Sequence, residues 1–394
     1  MNDRDRSAMP DAFSLLVAGL CITAPISSKA GPILLLIVLG YVVITGQYKL
    51  VRLSPMPPFL GLALGIAATH VLVPYLNPLG TGLITEPFRF GTVILAGWVL
   101  VAAPAIPATD RGLTLLTGLH ILSGVAIIAL PVLHEGFAGF ERVNQSAIVH
   151  LFSGAAIAIR LFRDGVQSKP LVLVILFSSG VVCFASDSQS AQLAYLLCLL
   201  VTGFAGVAFR YVATGIFLLT ALFAFSAPWL AANGSSIFVD SGFLQTELSH
   251  AMSATHRIGI WVSSAELVKE GLPWGWGVEG TPDARMIIEG YPIPWTHPHN
   301  FFLEMWLGVG FFAVPLFGAL AIVAYRNVVN FGRGRALLLG FVVAALALSS
   351  VGHSFWQGWW QATLVITFGF ATRPAKYADW SSTRGRMATK SEPA

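Results

Sequence analysis

The sequence predicts an all-α membrane protein of about twelve transmembrane helices, with one large polar loop between the ninth and tenth. Three observations predict it. Of 394 residues, 55% are hydrophobic and only 11% charged, with a mean hydropathy of +0.74, whereas a soluble domain carries about 25% charged residues. Apolar runs close to the roughly 20 residues that a bilayer span needs recur from end to end. One long polar stretch, residues 231–298, interrupts them and ends in Trp295-Thr296-His297-Pro298-His299-Asn300, where a new apolar run begins. The net charge of +4 is small, and no nucleic-acid partner is expected.

In chain order the candidate spans are 11–28, 31–47, 57–76, 90–107, 112–132, 146–163, 170–186, 189–208, 211–230, 300–325, 335–352 and 355–372. The chain thus divides into helices 1–9 (1–230), the loop with amphipathic helices (231–299), helices 10–12 (300–372) and a tail (373–394). The first run, from about Phe13, lacks a convincing cleavage site and is closely followed by another, so it reads as a span rather than a signal peptide. With the N-terminus cytoplasmic, 17 of the 23 Lys and Arg fall on inside segments and six outside: Lys29, Arg89, Arg142, Arg257, Lys269 and Arg285. That bias obeys the positive-inside rule and puts the long loop outside and both termini in the cytoplasm. The cysteines Cys21, Cys183 and Cys198 all sit in apolar runs without metal-ligand spacing and read as core. His120 and His150 lie within spans, where an ionisable residue is a functional candidate by default; a neutral imidazole bonded across a helix pair is the alternative. No internal repeat is visible, which weakens a transporter reading.

Residues 241–270 read as an amphipathic helix through Leu244, Leu248, Met252 and Ile258, with Arg257 and Trp261 four apart on one face. Arg is suited to gripping phosphate with its planar fork; a solvated charge on an interfacial helix is the alternative, and Trp261 suits an interfacial role equally well. Gly275, Gly277 and Gly280 then imply tight turns and close backbone approach, with a phosphate cradle one option. Pro298 disfavours helix at His297, and Asn300 is a good N-cap for the next helix. The positive end of that helix disfavours a charged imidazole at His299, and a neutral imidazole there is a usable general base. His297 and His299 as metal ligands, or His299 as a capping residue, remain open alternatives. A last outside cluster, His353-Ser-Phe-Trp-Gln-Gly-Trp-Trp360, reads as an aromatic belt at Trp359, with His353 and Gln357 able to face a sugar.

These residues resemble the O-antigen ligase and O-antigen polymerase family. His299-Asn300, nine residues and Gly310-Phe-Phe-Ala313 follow the family's His-Asn, nine residues, Gly-x-x-Gly, with Ala313 in place of the last glycine. His256-Arg257-Ile-Gly-Ile-Trp261 with Pro273-Trp-Gly-Trp-Gly277 resembles its Arg…Trp…Gly-Trp-Gly stretch, and Glu141-Arg142-Val-Asn144 its Asn-containing outside loop. One departure stands out: Gln189 occupies the outside turn where the family carries the Arg thought to hold a lipid diphosphate. The resemblance implies a GT-C-like, inverting, metal-independent and cofactor-free glycosyltransferase in the bacterial inner membrane. It would take a glycan from undecaprenyl diphosphate on the periplasmic face and pass it to a hydroxyl of lipid A–core or a similar glycolipid or glycan acceptor. Polymerisation is the alternative reaction, and transport of a lipid-linked sugar a more distant one. The only Asp-x-Asp, Asp3-Arg-Asp5, lies in the expected cytoplasmic tail, consistent with a donor that needs no metal. The site expected is His299 as base and Arg257 on the diphosphate, with Arg142, Asn144, Gln189, Trp261, Trp276, Gly277, His297 and Asn300 around the substrates.

Overall fold

The computed structural model describes residues 12–44, 65–66, 68–69, 72, 85–102, 110–133, 140–164, 169–233, 252–277, 285–288, 291–294, 297–352, 354 and 356–372. They form helices α1 (Ala12–Thr23), α2 (Gly31–Ile44), α3 (Thr85–Ala102), α4 (Asp110–Leu133), α5 (Phe140–Arg163), α6 (Lys169–Ala185), α7 (Gln189–Ala232), α8 (Met252–Gly271), α9 (Phe301–Val309), α10 (Ala313–Val329), α11 (Arg335–Val351) and α12 (Gly358–Thr372). The one sheet among them is a hairpin of β1 (Arg285–Ile288) and β2 (Tyr291–Pro294), antiparallel with Arg285 opposite Pro294. The polar loop therefore holds one described helix and a hairpin rather than helices alone, and 241–251 of its expected helix fall outside the described residues, as does most of the expected span 57–76. By length and composition four helical stretches can cross a membrane, beginning at Arg111, Val143, Gln189 and Phe301; five more apolar helices are shorter.

α5 is the central post. Residues from Gln145 to Leu161 are buried almost without interruption, and α4 and α6 pack on it through glycines. A Cβ on Gly154 would meet the His120 ring and Ser179 Oγ, and one on Gly124 the His150 ring. Small residues are what lets helices approach closely where lipid supplies no hydrophobic drive between them. His120 and His150 stack face to face at 3.8 Å, and each ring meets a hydroxyl of α6, Ser179 at 3.2 Å and Ser178 at 3.4 Å. Of the two readings open for them, this is the cross-helix bonding. The three cysteines are free and buried, as expected of core residues. The outer faces are apolar and exposed, as at Phe177, Leu200, Phe204 and Leu222.

α7 is 44 residues long, yet Ala208 leaves helical geometry (φ −132°, ψ 52°). Arg335 lies over Phe209, and Gly340 packs against Cys198 and Thr202. Tyr325 bonds Thr214 and packs on Phe217. α10 and α11 are joined by the short turn 330–334, and Leu346 returns to the cluster holding Phe317 and Ala224. Both halves of α7 therefore run from Ala208 toward the same end of the bundle, and the chain folds back between the two stretches the sequence separates at 208–211.

The expected single helix 300–325 is instead two. Phe301 and Phe302 pack on Phe317, with centroids 5.9 and 5.4 Å away. A continuous helix from 302 to 317 would hold them about 22 Å apart. The break is Gly310 (φ 55°, ψ −132°), followed by the 3-10 turn Gly310–Phe312. A helix hydrogen-bond ladder cannot pass through a residue in that conformation.

The bundle's two ends differ in charge. Arg163 bonds Thr372 O and lies over the Phe331 ring, so the ends of α5, α10 and α12 and the start of α11 meet there, with Arg160, Arg326, Arg333 and Arg335 close by. The opposite end gathers Ser146 against Ala24 O, the start of α9 and the end of α11.

Candidate functional site

The site is built at that second end from three segments: the N-terminal half of α8, the turn 297–300 leading into α9, and the turn 352–356 between α11 and α12. α8 buries Ile260, Ser264, Ala265, Val268 and Gly271 and exposes His256, Glu266, Lys269 and Glu270. This gives it one inward face, set by residues other than the expected Leu244, Leu248, Met252 and Ile258: Ile258 is only half-buried, and the side chains of the other three lie outside the described part. Arg257 and Trp261 continue that face toward the N-terminal end of α8, in one stripe with Ser264 and Val268, and both are partly buried. The Trp261 indole N–H donates to Pro298 O at 2.8 Å, which ties α8 to the His-Pro-His-Asn turn.

Asn300 caps α9 as expected: its Oδ1 accepts from the N–H groups of Phe302 (3.0 Å) and Leu303 (3.2 Å). His299 just before it holds φ 51°, uncommon for a residue with a side chain. Its N–H meets His297 Nδ1 at 3.4 Å, and the two rings lie 4.0 Å apart at 57°. His299 Nδ1 lies 3.1 Å from Gly352 O at the end of α11. A carbonyl only accepts, so neutral His299 carries its proton on Nδ1 and keeps a lone pair on Nε2. Burial pushes the imidazole below its ordinary pKa. The Gly352 bond pulls the other way, and the positive charge of Arg257 adds to the lowering. Arg257 is itself lowered by burial, and no acid pairs with it among the described residues. A partly buried guanidinium with no acid partner among the described residues, in electrostatic reach of an imidazole with a free nitrogen, suits an anionic group next to a proton donor.

The glycines serve differently from a phosphate cradle. Gly275 N–H bonds Gly271 O at 2.8 Å, Trp276 N–H bonds Leu307 O at 2.7 Å and Gly277 N–H bonds Gly308 O at 2.9 Å. Their N–H groups are committed to the protein's own backbone, closing the exposed carbonyls at the end of α9. Trp276 is buried, and its indole donates to Leu267 O at 2.8 Å. Trp276 and Gly277 thus form a seam between α8 and α9, not an open surface; Gly280 lies outside the described residues.

The remaining expected residues are more dispersed. Asn144 sits in the first turns of α5, its Oδ1 buried and without a hydrogen-bond partner. Arg142 is in the same turn, its side chain outside the described part. Gln189 is exposed at the start of α7; the packing of Phe209 under Arg335 and Cys198 against Gly340 carries it up to the level of Gly352. His353 and Trp295 fall outside the described residues. Gln357 Oε1 accepts from Trp359 Nε1 at 3.1 Å, and Trp359 is buried, so it belongs to the core and not to a lipid-facing belt.

Two groups at this site escaped the sequence reading: the Gly352 carbonyl and buried Glu304, which accepts a hydrogen bond from Ser354. Glu304 carried a signal, being the one charge in the apolar nine residues of α9. Among the described residues no cluster of three or more His, Cys, Asp or Glu is placed to hold a metal ion.

Residues 172–318 match the family model described as O-antigen ligase. A Rickettsia prowazekii (strain Madrid E) protein, assigned by name only as a polysaccharide ligase, is 23% identical over 242 residues, covering 59% of this chain and 56% of that relative. The match thus spans little more than half the relative's length. No solved structure matches. The resemblance to the O-antigen ligase family is supported at residues 172–318, which match that family's model and contain Gln189, Arg257, Trp261, Trp276, Gly277, His297, His299 and Asn300 but neither Arg142 nor Asn144.

Proposed function

We propose that the chain is an inverting polysaccharide ligase, a membrane glycosyltransferase whose donor is a glycan on undecaprenyl diphosphate and whose acceptor is a hydroxyl of lipid A–core or a similar glycolipid. The observation that carries this is His299, held on the Gly352 carbonyl through Nδ1 and close enough to Arg257 to feel its charge, a cation with no acid partner among the described residues. His299 Nε2 takes the acceptor's hydroxyl proton as the oxygen attacks the anomeric carbon. The bond from that carbon to the phosphate oxygen breaks with inversion. Arg257 stabilises the departing diphosphate where its charge grows. Because the leaving group is already a diphosphate, a fixed guanidinium can do the work of a metal ion. Asn144, whose buried Oδ1 awaits a donor, together with Arg142, Gln189 and His297, would contact the substrates. Asn300, Trp261, Trp276 and Gly277 would hold the frame.

The site lies opposite the end that gathers Arg160, Arg163, Arg326, Arg333 and Arg335. Under the positive-inside rule this supports cytoplasmic termini and a site on the periplasmic face of the inner membrane. Polymerisation would use the same chemistry on a different acceptor. A deletion strain separates the two: accumulated long lipid-linked polymer means ligase, and single repeat units on the anchor mean polymerase. His299→Ala tests the base itself. General-base catalysis contributes about 10²–10⁴-fold, so the variant should express normally and lose transfer by that order with purified lipid-linked donor. Near-normal transfer would remove His299 from the role.

A further inference from the structure

We infer that Glu304 is a positioning residue for His299, acting through the turn 352–356. This rests on the reading of His299 as the base. Glu304 is buried in the first turn of α9, where the amide ends of the helix favour a carboxylate. Its N–H is bonded to Asn300 O at 2.9 Å. Its Oε1 accepts the hydroxyl proton of Ser354, and Ser354 Oγ accepts in turn from the Trp356 N–H at 3.1 Å. A serine hydroxyl has a single proton, so the direction of this chain is set: Trp356 N–H to Ser354, Ser354 to Glu304. Two residues before Ser354, the Gly352 carbonyl receives the proton of His299 Nδ1. The turn is thus stitched to the start of α9 at two points, His299 to Gly352 and Ser354 to Glu304. Gly352 N–H is tied back to Leu348 O at 2.8 Å, so the carbonyl's direction depends on how the rest of the turn is anchored.

The consequence is chemical. The Gly352 carbonyl decides which nitrogen of neutral His299 carries the proton. If the turn moves, Nδ1 loses its acceptor and the Nε2 lone pair is no longer fixed toward the acceptor hydroxyl. A buried partner that orients an imidazole is the usual companion of a histidine base. Here the orienting group is a carbonyl, and Glu304 holds it.

The test compares Glu304→Gln, Glu304→Ala and Ser354→Ala in detergent with lipid-linked donor, reading kcat and KM across pH. Gln keeps an oxygen that can accept from Ser354; Ala does not. Glu304→Ala and Ser354→Ala should each lower kcat about 10- to 100-fold, the scale of a lost hydrogen bond to a charged group, with donor KM changed by less than about threefold. Their acid limb of kcat should move to lower pH, because the Gly352 bond that raises the His299 pKa is lost. Glu304→Gln should recover most of the rate and keep the parent's acid limb. An unmoved acid limb in both Ala variants overturns the inference, and so does a Gln variant as impaired as Ala. If Glu304→Ala fails to fold, Ser354→Ala and Glu304→Gln still give the comparison. Full activity of His299→Ala would overturn the base reading on its own, whatever the Glu304 variants do.

Discussion

Gly310 and Ala313 fall at the two glycine positions of the motif they resemble, and the structure predicts very unequal losses from exchanging glycine and alanine at them. Gly310 sits at φ 55°, ψ −132°, between α9 and α10. A Cβ there would collide with Pro273 O and lie 2.8 Å from Gly275 N. Both neighbours are backbone of the α8–α9 seam and cannot swing aside as a side-chain tip can. Strain at such a φ/ψ costs about 1–3 kcal/mol, and forcing extra volume into a packed contact costs about 1–3 kcal/mol more. Gly310→Ala should therefore lose roughly 2–6 kcal/mol, a large fraction of the roughly 5–15 kcal/mol that holds a typical domain. Opening the corner also threatens the Phe311 N–H to Pro273 O bond. Ala313, by contrast, has ordinary helical angles (φ −56°, ψ −35°) and is fully buried. Restoring the family's glycine there should cost only about 0.5–1 kcal/mol, the price of a helical glycine. The assay is thermal unfolding of the purified protein in one detergent, followed by near-ultraviolet circular dichroism, with transfer activity measured in parallel. Equal losses for Gly310→Ala and Ala313→Gly, or a Gly310→Ala protein as stable as the parent, would refute the reasoning.

Three further outcomes follow from the site. Arg257→Lys keeps the charge but loses the two-pronged grip on phosphate oxygens; one lost charged hydrogen bond is worth about 1.5–3 kcal/mol, so transfer should fall roughly 10- to 150-fold, and a variant as fast as the parent would return Arg257 to a solvated surface charge. The acid limb of kcat/KM should lie below the ordinary histidine value of 6.5, since burial and Arg257 both lower His299: the base is active above its pKa and lost as pH falls through it. Arg257→Gln should move that limb upward, and an unchanged limb would uncouple the two residues. Transfer should survive excess EDTA; inhibition that a divalent ion reverses would recast His297 and His299 as ligands.

What could be read from the sequence divides along a physical line. The Asn300 cap and the buried cysteines follow from capping chemistry and local hydropathy, and both stand in the structure; α8 is there, but its inward face is set by Ile260, Ser264, Ala265 and Val268, not by Ile258, and Leu244 and Leu248 lie outside the described residues. The fold-back at Gly310 was not legible, because Leu307–Tyr325 on both sides of it is apolar and hydropathy does not register direction. It is the positive φ of one glycine and the packing of Phe301 and Phe302 on Phe317 that set it. The Gly352 carbonyl was hidden for another reason. A backbone acceptor has no residue type, and it lies 53 positions from the imidazole it orients. Trp359 misled through its neighbours: a Trp-rich stretch at a helix end reads as a lipid belt, but a hydrogen bond to Gln357 and burial against the bundle make it core.

The same geometry explains why residues so far apart in the chain form one motif. Arg257 lies on α8 and His299 in the turn before α9, and if both act on the substrates as proposed, a positional error of about 1 Å between them can cost about 100-fold in rate. α8 and α9 run side by side and are fastened at both ends. Near the chemistry, Trp261 bonds Pro298 O. At the far end, Trp276 bonds Leu267 O and Leu307 O, and Gly277 bonds Gly308 O. Gly275 and Gly310 allow the second clamp, because a side chain at either would push the helices apart. The Arg-Trp, Gly-Trp-Gly and His-Asn signatures are therefore parts of a single spacer. Under the proposed function, Arg257 and His299 sit at the clamped end of that spacer, and Gly275 and Gly310 let the two helices stay close.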